Sequence, residues 1–555
     1  MYSKQVGRFI NQHFVDTSSS VYFTEDGYQN VQTYFGNLVK GQPKIWTAPF
    51  AKGQSMNQIL KDWQSVLVSL QDKWPTLCEF ENDLAKKVGP LSVQLPLRDR
   101  MDDIRHYWDD ILLPSKPIDS QAIDAVCGEF RKIQPLSPRS QRNTVEKMKL
   151  STQAGSPFWM KRRDVIKDSY PCRCTAILGT RYIDMDVLQA LPSFVGDACA
   201  VVGWRGQEGG PSKEDVKQRV IWMFPFAVNI QELQLYQPLI EGCQRHNLVP
   251  AWVSMESVDK SITNLFDTKR SDDLIVCTDF SKFDQHFNST MQGAAKSILT
   301  ALCTNNSDAR NWLKFVFPIK YQIPLLWEVE TNGERNYVSV LKGLHGMASG
   351  SGGTNADETL AHRALQYEVA FKHGQVLNPN SQCLGDDGIL SYPGITVEDV
   401  VDAYSSHGQE CNVDKQYAST QDCIYLRRWH HNRYRVNGIC VGVYSTCRAL
   451  GRLRYLERFM NPEYWSSELV ALRQLSIIEN CKWHPLFEQF IQFCMKRDKF
   501  RLGKDIPGFL DNITDKAMEA IDHMPDFLGY TKTLQGEGPE GIADWAVVKY
   551  LKSVR

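Results

Sequence analysis

The chain reads as an α+β protein, and three observations carry that reading. Between about residues 150 and 430, strand and helix signals alternate. Within that stretch, the run from Tyr321 to Glu330, the turn Thr331-Asn332-Gly333 and the run from Tyr337 to Leu341 make a β-hairpin pattern, because Asn-Gly supplies the positive φ of a type I′ turn. From about residue 445 onward, helical periodicity dominates.

The elements follow in order. Ile59, Leu60, Trp63, Val66, Leu67 and Leu70 recur at helical spacing behind Ser55, a candidate N-cap. The stretch 134–143, rich in Pro, Ser and Gln, reads as a linker or exposed loop. Leu274-Ile275-Val276-Cys277-Thr278 is a buried-strand run that ends at Asp279. The glycine-rich segment Ser349 to Asn355 enters an apolar-periodic helix through Leu360, Ala364 and Leu365. Gln382 to Leu390 is an apolar strand-turn-strand with Gly385-Asp386-Asp387 at its tip. Near the end, Gly536 to Gly541 is a glycine-rich loop before a last helix around Trp545 to Leu551. Trp545 and Tyr550 in that tail could stack on a base, or the tail could rest on the helical region.

Composition narrows the function classes. With 555 residues, 42% hydrophobic and 23% charged, the chain can build several cores. A net charge of −1 means that any basic surface for nucleic acid is local and offset elsewhere. The 15 cysteines include no C-x-x-C pair, and Cys172 and Cys174 are too isolated for a zinc site, so free thiols in a reducing compartment are expected. The N-terminal residues lack an apolar signal core, and no run of apolar residues is long enough to span a membrane.

Three segments could carry chemistry. Two adjacent carboxylates at a hairpin tip are costly unless a cation neutralises them; alone, the tripeptide reads more readily as an acidic surface turn than as a metal site. Asp279 sits at a strand end, where a carboxylate can point into a cleft or merely cap the next turn. If the two strands are neighbours, Asp279 and Asp386 could hold two Mg²⁺ ions about 3.5–4 Å apart, as phosphoryl transfer requires. The glycine-rich loop between them offers backbone N–H groups to an anion. No G-x-x-x-x-G-K-[ST] loop is present, which disfavours a helicase or NTPase.

The order Asp279-Phe280-Ser281-Lys282-Phe283-Asp284, then Ser349-Gly350-x3-Thr354, then Gly385-Asp386-Asp387 resembles palm motifs A, B and C of viral RNA-dependent RNA polymerases. Ser151 to Pro157 is similar to the template-channel motif G, Lys217-Gln218-Arg219 to the basic motif F, Lys415 to the motif D lysine, and Cys423 to Arg428 to the primer-grip motif E. The wording is most similar to that of picobirnavirus polymerases, which serve double-stranded RNA viruses. The resemblance implies a closed right hand of fingers, palm and thumb, with an antiparallel palm sheet and a helical thumb. Its implied boundaries are an N-terminal extension at 1–145 bridging fingers and thumb, fingers at 146–270 with 290–335, palm at 271–289 and 336–435, and thumb with C-terminal loop and tail at 436–555.

It also implies roles. Asp279, Asp386 and Asp387 would be the catalytic ligands of Mg²⁺ or Mn²⁺, with Asp387 supporting, and Lys415 a general acid. Asp284 would accept the ribose 2′-hydroxyl, positioned by Ser349, Thr354 or Asn355. Lys217 and Arg219 would face the triphosphate. Ser151, Thr152, Gly155, Lys161 and Arg162 would follow the template, and Arg427 and Arg428 the RNA near the primer. Arg448, Arg452, Arg454 and Arg458 could grip nascent duplex or form an ordinary exposed face. Implied partners are a single-stranded RNA template, the nascent RNA duplex, NTPs and a viral capsid protein, inside the viral particle and the host cytoplasm, without a membrane. One residue departs from the pattern: Glu358 stands where many members place Asn, and an ionised carboxylate there would repel Asp284. A reverse transcriptase, disfavoured by Asp284, and a non-enzymatic RNA-packaging protein are the rival readings.

Overall fold

The structure, a computed structural model, describes residues 14–18, 23–169, 174–177, 180–183, 199–332, 335–520, 523 and 539–554. Its strands are β1 (Phe14–Ser18), β2 (Cys174–Ile177), β3 (Thr180–Ile183), β4 (Ala200–Gln207) and β5 (Lys217–Met223). There follow β6 (Ile275–Thr278), β7 (Leu325–Asn332), β8 (Arg335–Leu341), β9 (Gln382–Leu384) and β10 (Asp387–Leu390). The last are β11 (Tyr417–Ser419), β12 (Asp422–Tyr425), β13 (Arg428–His431) and β14 (Val443–Tyr444). The helices used below are α1 (Met56–Leu67), α2 (Pro75–Ala85), α3 (Met101–Asp109), α4 (Phe226–Arg245) and α5 (Met255–Thr268). Further along are α6 (Thr354–Lys372), α7 (Val397–Ser405), α8 (Thr446–Arg454), α9 (Ser467–Glu479) and α10 (Ala546–Ser553).

The sheet that matters most has the order β11-β6-β10-β9, antiparallel throughout. All four residues of β6 are buried, which is why the sequence there is a continuous apolar run rather than an alternating one. Helix α6 backs the sheet. Gln366 on it donates to the carbonyls of Gln382 and Ile389, tying the helix to both strands of the β9–β10 pair. A second sheet, β1-β8-β7-β4-β5, stands beside it; β4 and β7 are its one parallel pair. The β7–β8 hairpin pairs from Leu325↔Leu341 to Asn332↔Arg335, with one register shift between Leu326 and Glu328, so Asn332 belongs to the strand, while Gly333 lies outside the described residues.

The first and last parts of the chain share one apolar core. Trp63 of α1 is fully buried, its ring 5.0 Å from Phe490 and 5.1 Å from Phe493. Its Nε1 donates to Thr446 Oγ1 at 2.6 Å. Ser55 has the extended backbone of an N-cap, but its side chain makes no capping bond. Glu81 of α2, also fully buried, accepts from the Thr446 backbone N–H and so serves the N-terminus of α8. Burial would raise the Glu81 carboxyl, yet His484 and the hydroxyls of Ser445 and Thr446 hold it below its ordinary value. Just beyond, residues 93–95 are laced to β5: Gln218 donates to Val93 O and accepts from Leu95 N–H. The 134–143 stretch is pinned rather than free, since Leu136 and Arg139 exchange backbone bonds with Leu302, Thr304 and Gln234. Trp545 and Tyr550 lean on the same core as α9, and Tyr550 accepts from Gln492, so the last helix is a docked tail. The loop 536–538 before it lies outside the described residues.

At the end of α3, Asp109 is buried and neither carboxyl oxygen has a hydrogen-bond partner. Burial pushes it up to about 6, against the pull of His106. A raised carboxyl destabilises the fold progressively as pH climbs from its unfolded value to its folded one. D109N is therefore expected to raise the melting temperature at pH 8 and to leave it unchanged near pH 4, in melts recorded across that range.

Candidate active site

The antiparallel register builds the site. Gly388 lies opposite Thr278, so the residues just beyond, Asp387 on β10 and Asp279 after β6, come to the same sheet edge. Gly385 and Asp386 form the two-residue loop joining β9 to β10, and Gly385 takes φ +58, as short hairpin turns require. The neighbouring strands that the carboxylates needed are thus in place. Asp279 is held at both backbone ends by one side chain. Gln416 Oε1 accepts from its N–H at 2.7 Å, and Gln416 Nε2 donates to its carbonyl at 2.9 Å. This carboxamide continues the β11–β6 ladder past the last paired residues.

The three aspartates open on a cavity of about 640 Å³, lined also by Lys217, Arg219, Lys415, Arg427, Arg448 and Arg452. Asp386 is exposed at that cavity. Burial first and Asp284 second raise its carboxyl, and Arg219 opposes them. Asp387 is pushed up to about 7 by burial, although Leu426 N–H donates to its Oδ2 at 2.8 Å. Carboxylates so disfavoured as anions call for a cation. All three offer only oxygen donors, the chemistry of a hard divalent ion that keeps waters and substrate phosphates; among the described residues no three His, Cys, Asp or Glu side chains are already drawn together around a metal position. On the facing wall, burial and the nearby Lys87 and Arg219 lower the Lys217 pKa, the mark of cations crowded in want of an anion.

The glycine-rich loop differs from its sequence reading. Several of its N–H groups are spent internally: Gly352 donates to Glu232 Oε1 and Gly353 to Ser351 Oγ. Thr354 returns its hydroxyl to the carbonyls of Ala348, Ser349 and Ser351. Ser349 Oγ accepts from Trp222 N–H, and Asn355 Oδ1 from Trp252 Nε1 at 2.8 Å. The loop passes so near β5 that a Cβ on Gly350 would sit 1.6 Å from Trp222 O. It is a braced wall rather than an anion cradle.

Glu358, one turn into α6, is buried beside Asp284. Burial raises its carboxyl well above the usual range and the Asp284 carboxylate raises it further, while its Oε1 has no partner. Both effects favour its protonated, neutral form, in which it would have a proton to give to Asp284 and the repulsion expected from the sequence would be relieved.

The basic residues divide. Arg427 reaches the cavity with its side chain 44% exposed, whereas Arg428 turns inward, forking onto both oxygens of Asp259 on α5 and onto Gly442 O. Arg162 lies over the Phe226 ring and donates to Lys149 O and Asn229 Oδ1, so its fork is used within the protein. Lys161 is exposed on the same loop as Ser151, Thr152 and Gly155; Thr152 donates to Lys149 O and Gly155 N–H to Gln153. Lys415, exposed at the cavity, adjoins Gln416. Sequence reasoning missed Gln416 and also Glu208, which lies between the arginines of α8; a lone Gln and a lone Glu carry no pattern.

Fold and site define a right-hand, template-directed nucleotide polymerase, with an antiparallel palm sheet, a helical thumb and lobes closed around the cavity. Residues 92–494 match the model of the viral RNA-dependent RNA polymerase family, and the chain belongs to that family. It is 56% identical over 531 residues to a potential RNA-dependent RNA polymerase of Human picobirnavirus (strain Human/Thailand/Hy005102/-), covering 95% of this chain and 97% of that one. It is also similar to the crystal structure of the RNA-dependent RNA polymerase of a human picobirnavirus, with TM-score 0.87 and 54% identity over 97% of this chain and 99% of that one. An insertion-loop deletion mutant of such a polymerase matches with TM-score 0.86 and 52% identity over the same shares. The protein is thus an RNA-directed RNA polymerase, a nucleotidyltransferase, and the reverse-transcriptase and packaging readings fall away.

Proposed function

We propose that this cavity copies a viral, double-stranded RNA genome by two-metal nucleotidyl transfer, with Asp279 and Asp386 as the main ligands of Mg²⁺ or Mn²⁺ and Asp387 supporting them. The observation that carries the reading is the register setting Asp279 beside the Asp386-Asp387 turn. Bound there, the ions would activate the 3′-hydroxyl and neutralise the triphosphate. The 3′-oxygen then bonds to the α-phosphorus while the bond to the β-phosphate oxygen breaks. Lys217 and Arg219 hold the phosphates, and Lys415 gives its proton to the departing pyrophosphate.

Asp284 accepts the ribose 2′-hydroxyl, and neutral Glu358 keeps that carboxylate oriented. Ser349, Thr354 and Asn355 act on the sugar indirectly, by fixing the loop and the start of α6. Ser151, Thr152, Gly155 and Lys161 follow the single-stranded template, and Arg427 the nascent duplex; Arg162 and Arg428 serve these by bracing their loops. In this reading, fingers span 146–270 with 290–335, palm 271–289 and 336–435, and thumb 436–555. The bonds of residues 93–95 to β5 and the shared core of α1 and α2 with α9 support residues 1–145 as the bridge between fingers and thumb. Work within a viral particle and the host cytoplasm, beside a capsid protein, follows from the likeness to picobirnavirus polymerases; among the described residues no helix is long and apolar enough to cross a membrane.

Extension of a short single-stranded RNA, with NTPs against dNTPs in Mg²⁺ and in Mn²⁺, tests the reading. Wild-type enzyme should prefer NTPs. E358Q, which keeps an uncharged donor, should retain that preference, and E358A should lose about tenfold of it, one hydrogen bond's worth. Equal use of NTPs and dNTPs by wild type would remove the role of Asp284.

A further inference from the structure

Glu208, the residue after β4, reaches across the cavity to the opposite lobe. Its side chain is only 10% exposed, and it forms ion pairs with Arg448 and, at 3.0 Å, with Arg452, four residues apart on α8. Arg427, in the turn between β12 and β13, approaches the same carboxylate at 4.0 Å. Neither Glu208 oxygen meets hydrogen-bond geometry with any of the three guanidinium groups. One planar carboxylate therefore faces three cations through close but ill-aligned contacts. The arginines are themselves positioned: Arg448 Nε donates to Tyr444 Oη at 2.9 Å. A second pair, Arg205 to Glu457 at 2.8 Å, crosses between the same two lobes.

We infer that Arg427, Arg448 and Arg452 form a phosphate-binding site on the cavity wall, and that Glu208 fills it in the RNA-free chain as an internal stand-in for the phosphate. The charge count argues for it: three guanidinium groups, with side chains 44%, 12% and 28% exposed for Arg427, Arg448 and Arg452, stand against one carboxylate and leave excess positive charge, which is costly until a further anion arrives. The shape argues likewise. A tetrahedral phosphate offers more acceptor oxygens, and in more directions, than a carboxylate, so it can align with three forks where Glu208 aligns with none. Displacing Glu208 releases one tie between β4 and α8, which lets the cavity widen as a duplex enters. The proposal rests on the polymerase reading only for the source of the phosphate, an RNA strand or a nucleoside triphosphate.

The test is equilibrium binding in EDTA, so that failure of the two-metal reading cannot affect it. Full-length wild type, E208Q and E208D are titrated with a fluorescent RNA hairpin duplex at several salt concentrations, and separately with a fluorescent GTP analogue. With the stand-in neutralised, E208Q should bind RNA roughly three- to tenfold more tightly, with the log–log salt slope steeper by about one. Tightening for GTP alone would assign the site to a triphosphate. E208D, whose shorter side chain withdraws the charge, should move in the same direction and covers the case in which E208Q does not fold. The double variant E208Q/R452Q should bind no more tightly than R452Q. If neither E208Q nor E208D tightens either ligand, or if the gain survives R452Q, the proposal is overturned.

Discussion

Replacing Asp386 with Asn is expected to reduce nucleotide incorporation by roughly 10³-fold or more, while RNA affinity stays within about twofold, because only the charge that a divalent ion needs is lost. The change is nearly isosteric and sits in a turn whose geometry is set by Gly385. The RNA contacts proposed above come from lysines and arginines elsewhere on the wall, so binding is spared. Without metal, D386N should be as stable as wild type or slightly more so, since burial and Asp284 already disfavour the Asp386 anion. D387N should cost less, because an amide oxygen can still accept the Leu426 N–H that Asp387 now holds. Single-nucleotide extension, RNA titration and thermal melts on the same preparations measure all three. Incorporation by D386N within tenfold of wild type would remove Asp386 from the metal site.

The second large effect is on stability. W63A should destabilise the helical lobe by about 3–5 kcal/mol, the usual cost of emptying a large aromatic site in a core. Trp63 has no exposed surface, lies between Phe490 and Phe493, and its indole N–H is bonded to Thr446. Thr446 in turn is held by Glu81, so the loss spreads into the N-terminus of α8 and to the arginines that line the cavity. W63F, which keeps most of the volume but not the donor, should recover more than half of the loss. Melts followed by near-ultraviolet circular dichroism would show it; a shift of under one degree for W63A would mean that residues 56–67 do not belong to this core.

The metal-site edge was legible in the sequence because strand ends and glycine turns are local. Ile275 to Thr278 dictates a buried strand ending at Asp279, and Gly385 dictates a turn. What brings them together is a pairing between distant segments, which only the order of the motifs suggested. The glycine-rich loop misled for a related reason: its glycines suggested free N–H groups, but Glu232, more than a hundred residues upstream, takes one of them. Arg427 and Arg428 look alike in sequence, yet the first lines the cavity and Asp259 claims the second. Glu358 could not be understood from its neighbours, because its protonation depends on burial and on Asp284, neither of which is local.

The core shared by α1, α2, α8, α9 and α10 has a consequence for how the enzyme is born. As the chain leaves the ribosome, Trp63 emerges hundreds of residues before Phe490 and Phe493, so the first helices must wait for partners that have not yet been made. Such distant pairing slows folding and leaves apolar surface uncovered in the meantime. It also means that α8 gains its buried N-terminal partner Glu81 only once the two ends of the chain have met. A prematurely terminated product could contain every catalytic aspartate and still lack the cavity wall against which they work, so activity arrives with the completed chain.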